Sequence, residues 1–111
     1  MCRALTVLCV AEDAESLLAL KRAAVSADWE LAPGACSEAE ALEQLESEHP
    51  HVVVVFGAFG PLVEAIRDRV PYVRIVADRD LPGANAVVAS LAEVRAAVTG
   101  LPRPGGPVRG G

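Results

Sequence analysis

The sequence predicts an α/β domain built as a doubly wound parallel sheet, with helices on both faces in three layers. Three observations lead there. Val52 to Phe56 is a wholly apolar, β-branched run, bounded by Pro50 before it and by Gly57 and Gly60 after it. It has neither a helical nor an alternating period, and a strand buried on both faces of a helix-covered sheet is what such a run suits. Ala4 to Val10 repeats the pattern near the amino terminus, and helical stretches separate the strand-like runs along the chain, the alternation that parallel crossovers require.

Each element can be justified in order. Ala4–Val10 is the first buried strand, and it runs into the acids Glu12 and Asp13. Ala14 to Ala27 is helical, with Leu17, Leu20 and Ala24, and then Leu18 and Val25, at spacings of three, four and seven. Asp13 suits the N-cap and Glu15 the first turn. Trp29–Ala35 reads as a short strand, and Pro33-Gly34 near its end puts it at an edge. Ser37-Glu38-Ala39-Glu40 is a capping box opening a helix that runs to about Glu48, burying Ala41, Leu42 and Leu45 before His49-Pro50 stops it.

After the valine strand, Pro61 opens a helix at its preferred first position. Leu62, Val63, Ile66 and Val70 should be buried, with Glu64, Arg67, Asp68 and Arg69 facing water, and Pro71 ends the helix. Tyr72–Ala77 is the fourth strand, in which Arg74 hints at a nearby edge or a snorkelling stem. Asp78–Ala84 is a polar turn too short for an ordinary helix, and Asn85–Ala89 is a fifth strand. Ser90 then caps a helix from Leu91 to about Val98, with Glu93 as capping-box partner, Val94 and Val98 inward and Gly100 at the close. The expected division is a folded domain over 1–100 and a disordered Pro/Gly/Arg tail over 101–111.

Composition excludes several classes of function. The net charge of −5 and pI near 4.9 argue against direct nucleic-acid binding, which needs a basic stripe. Between Glu12 and Glu48 there are ten acids against Lys21 and Arg22, whereas from His49 onward five acids face seven arginines. The acidic half is a solvated face or a docking face for a basic partner. Three cysteines, Cys2, Cys9 and Cys36, match no zinc spacing, and no apolar segment has the length of a signal or a membrane span. Cys9, inside an apolar strand, is a core residue, and a cytoplasmic place with reduced thiols is expected. Nine arginines to one lysine, with abundant Ala, Gly and Pro, suggest a bacterial gene of high GC content.

Ligands of parallel sheets bind at the carboxyl ends of the strands. In this chain that place is Phe56 to Pro61, which carries no ionisable side chain. There is no serine or cysteine with a plausible base, and His49 and His51 flank a proline where surface histidines are ordinary. No enzymatic activity, cofactor or metal is expected.

Val7-Leu8-Cys9-Val10-Ala11-Glu12-Asp13, Ser37 to Leu42, His49 to Val55, Pro71 to Ala77 and Ser90 to Val94 resemble, in order, the layout of bacterial response-regulator receiver domains. The resemblance spans roughly residues 4 to 99 and implies a flavodoxin-like sheet of order 2-1-3-4-5 with the valine strand central. It also implies where activity should lie, and there the chain departs. Receivers carry two magnesium-binding acids after the first strand; Ala11 replaces the first, leaving Glu12 with Asp13 behind it. Phe56, or Gly57 with a register slip of one, stands at the phospho-accepting aspartate. Val76 matches the threonine or serine that ends the fourth strand, and the lysine-proline after the fifth strand is missing. Glu12, Asp13, Phe56 and Val76 thus mark a vestigial acidic pocket. The fourth helix is shortened or missing, reduced to the Asp78–Ala84 turn.

The resemblance implies a phosphorylation-independent, receiver-like regulatory or adaptor domain that acts through protein contact. Its partner would be another protein, one with a basic surface fitting the acidic strip. Candidate contact residues are Glu40, Glu43 and Glu46 on the second helix, Asp78 and Asp80 in the shortened region, and Glu93 and Arg95 on the last helix. Two alternatives remain. One is a small-molecule or nucleotide-binding flavodoxin-like module, using Gly57 to Gly60 and the helix start behind them. The other is the N-terminal domain of a larger signalling protein.

Overall fold

A computed structural model describes residues 5–26 and 29–100 of the 111. Five parallel strands, β1 (Leu5–Ala11), β2 (Trp29–Leu31), β3 (Val52–Phe56), β4 (Arg74–Ala77) and β5 (Ala86–Val87), form one sheet in the order β2-β1-β3-β4-β5. The helices are α1 (Ala14–Ala24), α2 (Glu38–Glu48), α3 (Gly60–Arg69) and α4 (Val94–Gly100), the last preceded by a 3-10 turn at Leu91–Glu93. The tail expected over 101–111 lies outside the described residues.

The apolar runs end up where their composition requires. Val7 to Val10 and Val53 to Val55 are fully buried, in register from Val7 against Val52 to Ala11 against Phe56. Alternation along the strands divides the core in two. Leu8, Val10, Val53, Val55 and Ile75 meet α2 and α3 through Leu45, Leu62, Val63 and Ile66. Cys9, Val52, Val54 and Val76 form a second core with Leu20, Ala24, Val94 and Val98. Burial pushes the Cys9 thiol up to about 12, with Lys21 pulling weakly the other way.

Several boundaries and faces differ from the sequence expectation. Helix α1 ends at Ala24, and Val25, beyond its end, is extended and exposed. Leu18 is also exposed, because the sheet takes only the stripe through Leu17, Leu20 and Ala24. Trp29 closes this end from the other side: its indole N–H donates to the Ala24 carbonyl at 2.7 Å. Strand β2 is an edge strand as expected but stops at Leu31, since Pro33-Gly34 breaks the ladder; only Ala35 rejoins it, bridging Val10. Gln44 holds this break, accepting from the Gly34 amide at 2.9 Å and donating to its carbonyl at 2.6 Å.

The first capping box forms with a shift of one residue in its return bond. Ser37 Oγ accepts from the Glu40 amide at 3.2 Å, while Glu40 accepts from Cys36 rather than from Ser37. Before α4, Glu93 accepts from Ala89 at 3.0 Å, and Ser90 makes no side-chain cap bond. His49 ends α2 in the left-handed conformation at φ 50°.

The largest correction concerns Arg67, expected to face water. Its guanidinium donates to the carbonyls of Pro71 (2.9 Å), Val73 (2.7 Å) and Gly83 (2.9 and 2.7 Å) and to the Asn85 side chain. Asn85 Oδ1 also accepts from the Ile75 amide at 2.8 Å. This clamp fastens the Asp78–Ala84 connection, with Leu81 and Ala84 packed on the core, where no helix intervenes between β4 and β5. Arg74 stands near an edge, as expected, since β4 lies between β3 and the edge strand β5. It opens the strand at the end of the sheet, half-buried, and its Nε has no hydrogen-bond partner among the described residues.

Candidate functional site

The carboxyl ends of β1, β3 and β4 meet at a small cavity of about 220 Å³. Glu12, Phe56, Gly57, Asp78 and Arg79 are among the residues that line it. Because β1 and β3 pair through Ala11 and Phe56, the next residues on each strand, Glu12 and Gly57, come together beyond the sheet. Gly57 has a φ of 134°, and a Cβ there would stand 2.6 Å from Glu12 Cγ and 2.9 Å from the Phe59 ring. Only glycine fits this combination of backbone and neighbours.

The loop that follows β3 is held by the chain's own carboxylates. Asp78 Oδ1 accepts from the Gly57 amide at 3.2 Å, and Glu12 Oε2 accepts from the Ala58 amide at 3.3 Å. Phe59 donates its amide to the Gly57 carbonyl at 3.0 Å. Arg79 covers the arrangement, donating to both Asp78 oxygens at 3.0 and 3.2 Å. Partial burial pushes the Asp78 carboxyl up, but the bonds from Arg79 and Gly57 outweigh it, so the group sits below the ordinary carboxylate range. Asp78 in turn raises the Arg79 guanidinium, and Glu12 adds to that field.

This geometry redraws the pocket expected from sequence. Glu12 and Phe56 line it, but Asp13 and Val76 do not. Asp13 caps α1, accepting from the Ser16 amide at 2.7 Å, a bond that holds its carboxyl below the usual range. Val76 points into the core beside Val54, and the residue that reaches the mouth from β4 is Asp78, just past the strand end. Asp78, expected as a contact residue, and Arg79, not singled out, were the two missing from the expected pocket. Their signal in the sequence was an acid and a base directly behind the apolar run Ile75-Val76-Ala77. Among the described residues, no group of three or more His, Cys, Asp or Glu is placed to hold a metal ion.

The candidate contact residues fare unevenly. Glu40 is committed to the Cys36 amide and Glu93 to the Ala89 amide. Glu46 pairs with Arg69 at 2.7 Å, Asp78 belongs to the loop lock, and Arg95 reaches the Val25 carbonyl at 3.5 Å. Glu43 and Asp80 are exposed. The strip on α2 is present but partly neutralised from α3. No helix among the described residues is long and apolar enough to cross a membrane.

No family model matches the chain, and no curated protein matches its sequence. Its fold, however, is shared with solved structures. The signal receiver domain of the Mycobacterium tuberculosis response regulator NarL superposes with a TM-score of 0.70 at 18% identity, covering 86% of this chain and 94% of that one. The chemotaxis response regulator CheY4 of Vibrio cholerae gives 0.68 at 16% identity, covering 87% and 97%. A cobalamin-binding protein of Desulfitobacterium hafniense gives 0.66 at 14% identity, covering 87% of this chain and 58% of that one. At these identities the likeness establishes the fold: this chain is built as receiver domains are, with the sheet order 2-1-3-4-5.

Proposed function

We propose that this chain is a receiver-like regulatory or adaptor domain that acts through protein contact, without enzymatic or phosphoryl chemistry. One observation carries the reading: the loop amides of Gly57 and Ala58 are taken by the carboxylates of Asp78 and Glu12, beside a phenylalanine at the end of β3. An aromatic side chain cannot accept a phosphoryl group. Amides already bonded to internal carboxylates are also poor anchors for an incoming anion, which must displace an acceptor held in place. The same bonds argue against the phosphate cradle of the small-molecule alternative.

A domain whose strand-end loop is held by its own carboxylates would work by contact alone, with its output set by how much partner is available. The exposed surface around Glu43 on α2, in the acidic half of the chain, suits a partner with a basic face. The reading is consistent with a cytoplasmic protein. The test is a titration with beryllofluoride and magnesium, followed by amide chemical shifts. The signals of Glu12 and Gly57 should stay where they are. A saturable, magnesium-dependent movement of those two signals would sink the reading.

A further inference from the structure

A second and larger cleft, of about 780 Å³, lies at the opposite end of the sheet, where β3 and β4 begin and where α2 and α3 end. We propose that it binds a neutral, planar nitrogen heterocycle of the purine type. Leu45, Pro50, Val70 and Val73 supply its apolar wall. Tyr72 stands at it with 69% of its surface uncovered, offering a ring face for stacking. The volume lies within the ~300–1,000 Å³ usual for small-ligand sites.

Charge decides the class of ligand. Glu46 and Arg69, joined at 2.7 Å, cancel each other at the rim. The last turn of α2 carries no basic residue, and in the last turn of α3 Arg67 is spent on backbone carbonyls and Arg69 on Glu46, so the lining leaves no unpaired acid, arginine or lysine to hold an ion. A neutral ligand needs no such partner.

Hydrogen bonding narrows the choice to an edge that both donates and accepts. His51 Nδ1 accepts from the Thr6 amide at 3.1 Å, which leaves the neutral ring its proton on Nε2, a donor. The exposed Glu46–Arg69 pair presents a carboxylate acceptor beside a guanidinium donor. A heterocycle with a ring nitrogen beside an amino or carbonyl group satisfies both kinds of partner while its faces lie against Tyr72 and the apolar wall.

Adenosine is the probe, titrated into the full chain and followed by amide shifts. It should bind saturably in the sub-millimolar range and move the signals of His49, His51, Arg69 and Tyr72, leaving Gly57 and Ala58 still. Tyr72→Ala and Arg69→Gln, both on exposed side chains, should each weaken it about tenfold, and their melting curves show whether the fold is intact. AMP should bind no more tightly than adenosine, because the lining offers its phosphate no unpaired arginine or lysine. The proposal is overturned if adenosine gives no saturable shift, if the shifts centre elsewhere, or if folded Tyr72→Ala binds like the parent. It is equally overturned if 2-naphthoate, a planar anion of similar size, binds more tightly than adenosine. Because the two ends of the sheet report through different amides, its failure is distinguishable from failure of the regulatory reading.

Discussion

Replacing Gly57 with alanine tests the lock at the strand ends most directly. The added methyl meets two separate penalties. A backbone held at φ 134° is foreign to an L-residue and costs about 1–3 kcal/mol. The Cβ would also stand 2.6 Å from Glu12 Cγ, so the Glu12 side chain must swing away. Glu12 is exposed and free to move, but moving forfeits its bond to the Ala58 amide, worth about 1 kcal/mol or less at the surface. The expected loss is therefore about 2–4 kcal/mol, read by urea unfolding at constant m-value. The two penalties separate in a double-mutant cycle with Glu12→Ala. In that background Gly57→Ala should cost less by about 0.5–1 kcal/mol, while the backbone share and the 2.9 Å approach to the Phe59 ring persist. A loss below about 0.5 kcal/mol for the single variant, or no relief from Glu12→Ala, would refute the packing described.

Three further outcomes are expected. Arg67→Ala should destabilise the domain by about 2–4 kcal/mol and expose the β4–β5 connection to amide exchange, with Arg67→Lys recovering only part, since lysine lacks the fork that reaches four partners; unchanged exchange at Gly83 and Asn85 would count against the clamp. Val54→Asp should abolish the cooperative melt, because an unpaired carboxylate in the fully buried middle of β3 costs several kcal/mol against a total stability of ~5–15 kcal/mol. The Cys9 thiol, pushed up to about 12 from an ordinary 9.0, favours the folded state fully below the ordinary value, and that stabilisation is lost as pH rises between the two. Each pH unit in that window should remove up to ~1.4 kcal/mol from the parent and not from Cys9→Ala, so equal slopes in alkaline denaturation series would contradict the burial.

The parallel sheet was legible in the residues because buried strands leave a local mark, whereas its order, 2-1-3-4-5, came from the resemblance to receiver domains. Four valines in a row between Pro50 and Gly57 can only be satisfied by burial on both faces, and the period of α2 and the caps at Asp13 and Ser37 are equally local. That an aromatic residue, Phe56, ends this strand was legible for the same reason. How the loop behind it is held was not, because Glu12, Gly57 and Asp78 are brought together only by the pairing of β1, β3 and β4. Arg67 shows the same limit from the other side. By helical period it belongs on the wet face of α3, yet the missing helix between β4 and β5 leaves carbonyls at Pro71, Val73 and Gly83 within reach of one planar, five-donor group. Residue pattern decides which segments are buried. The partners of a long polar side chain depend on what the folded chain carries past it, and that is a property of tertiary structure alone.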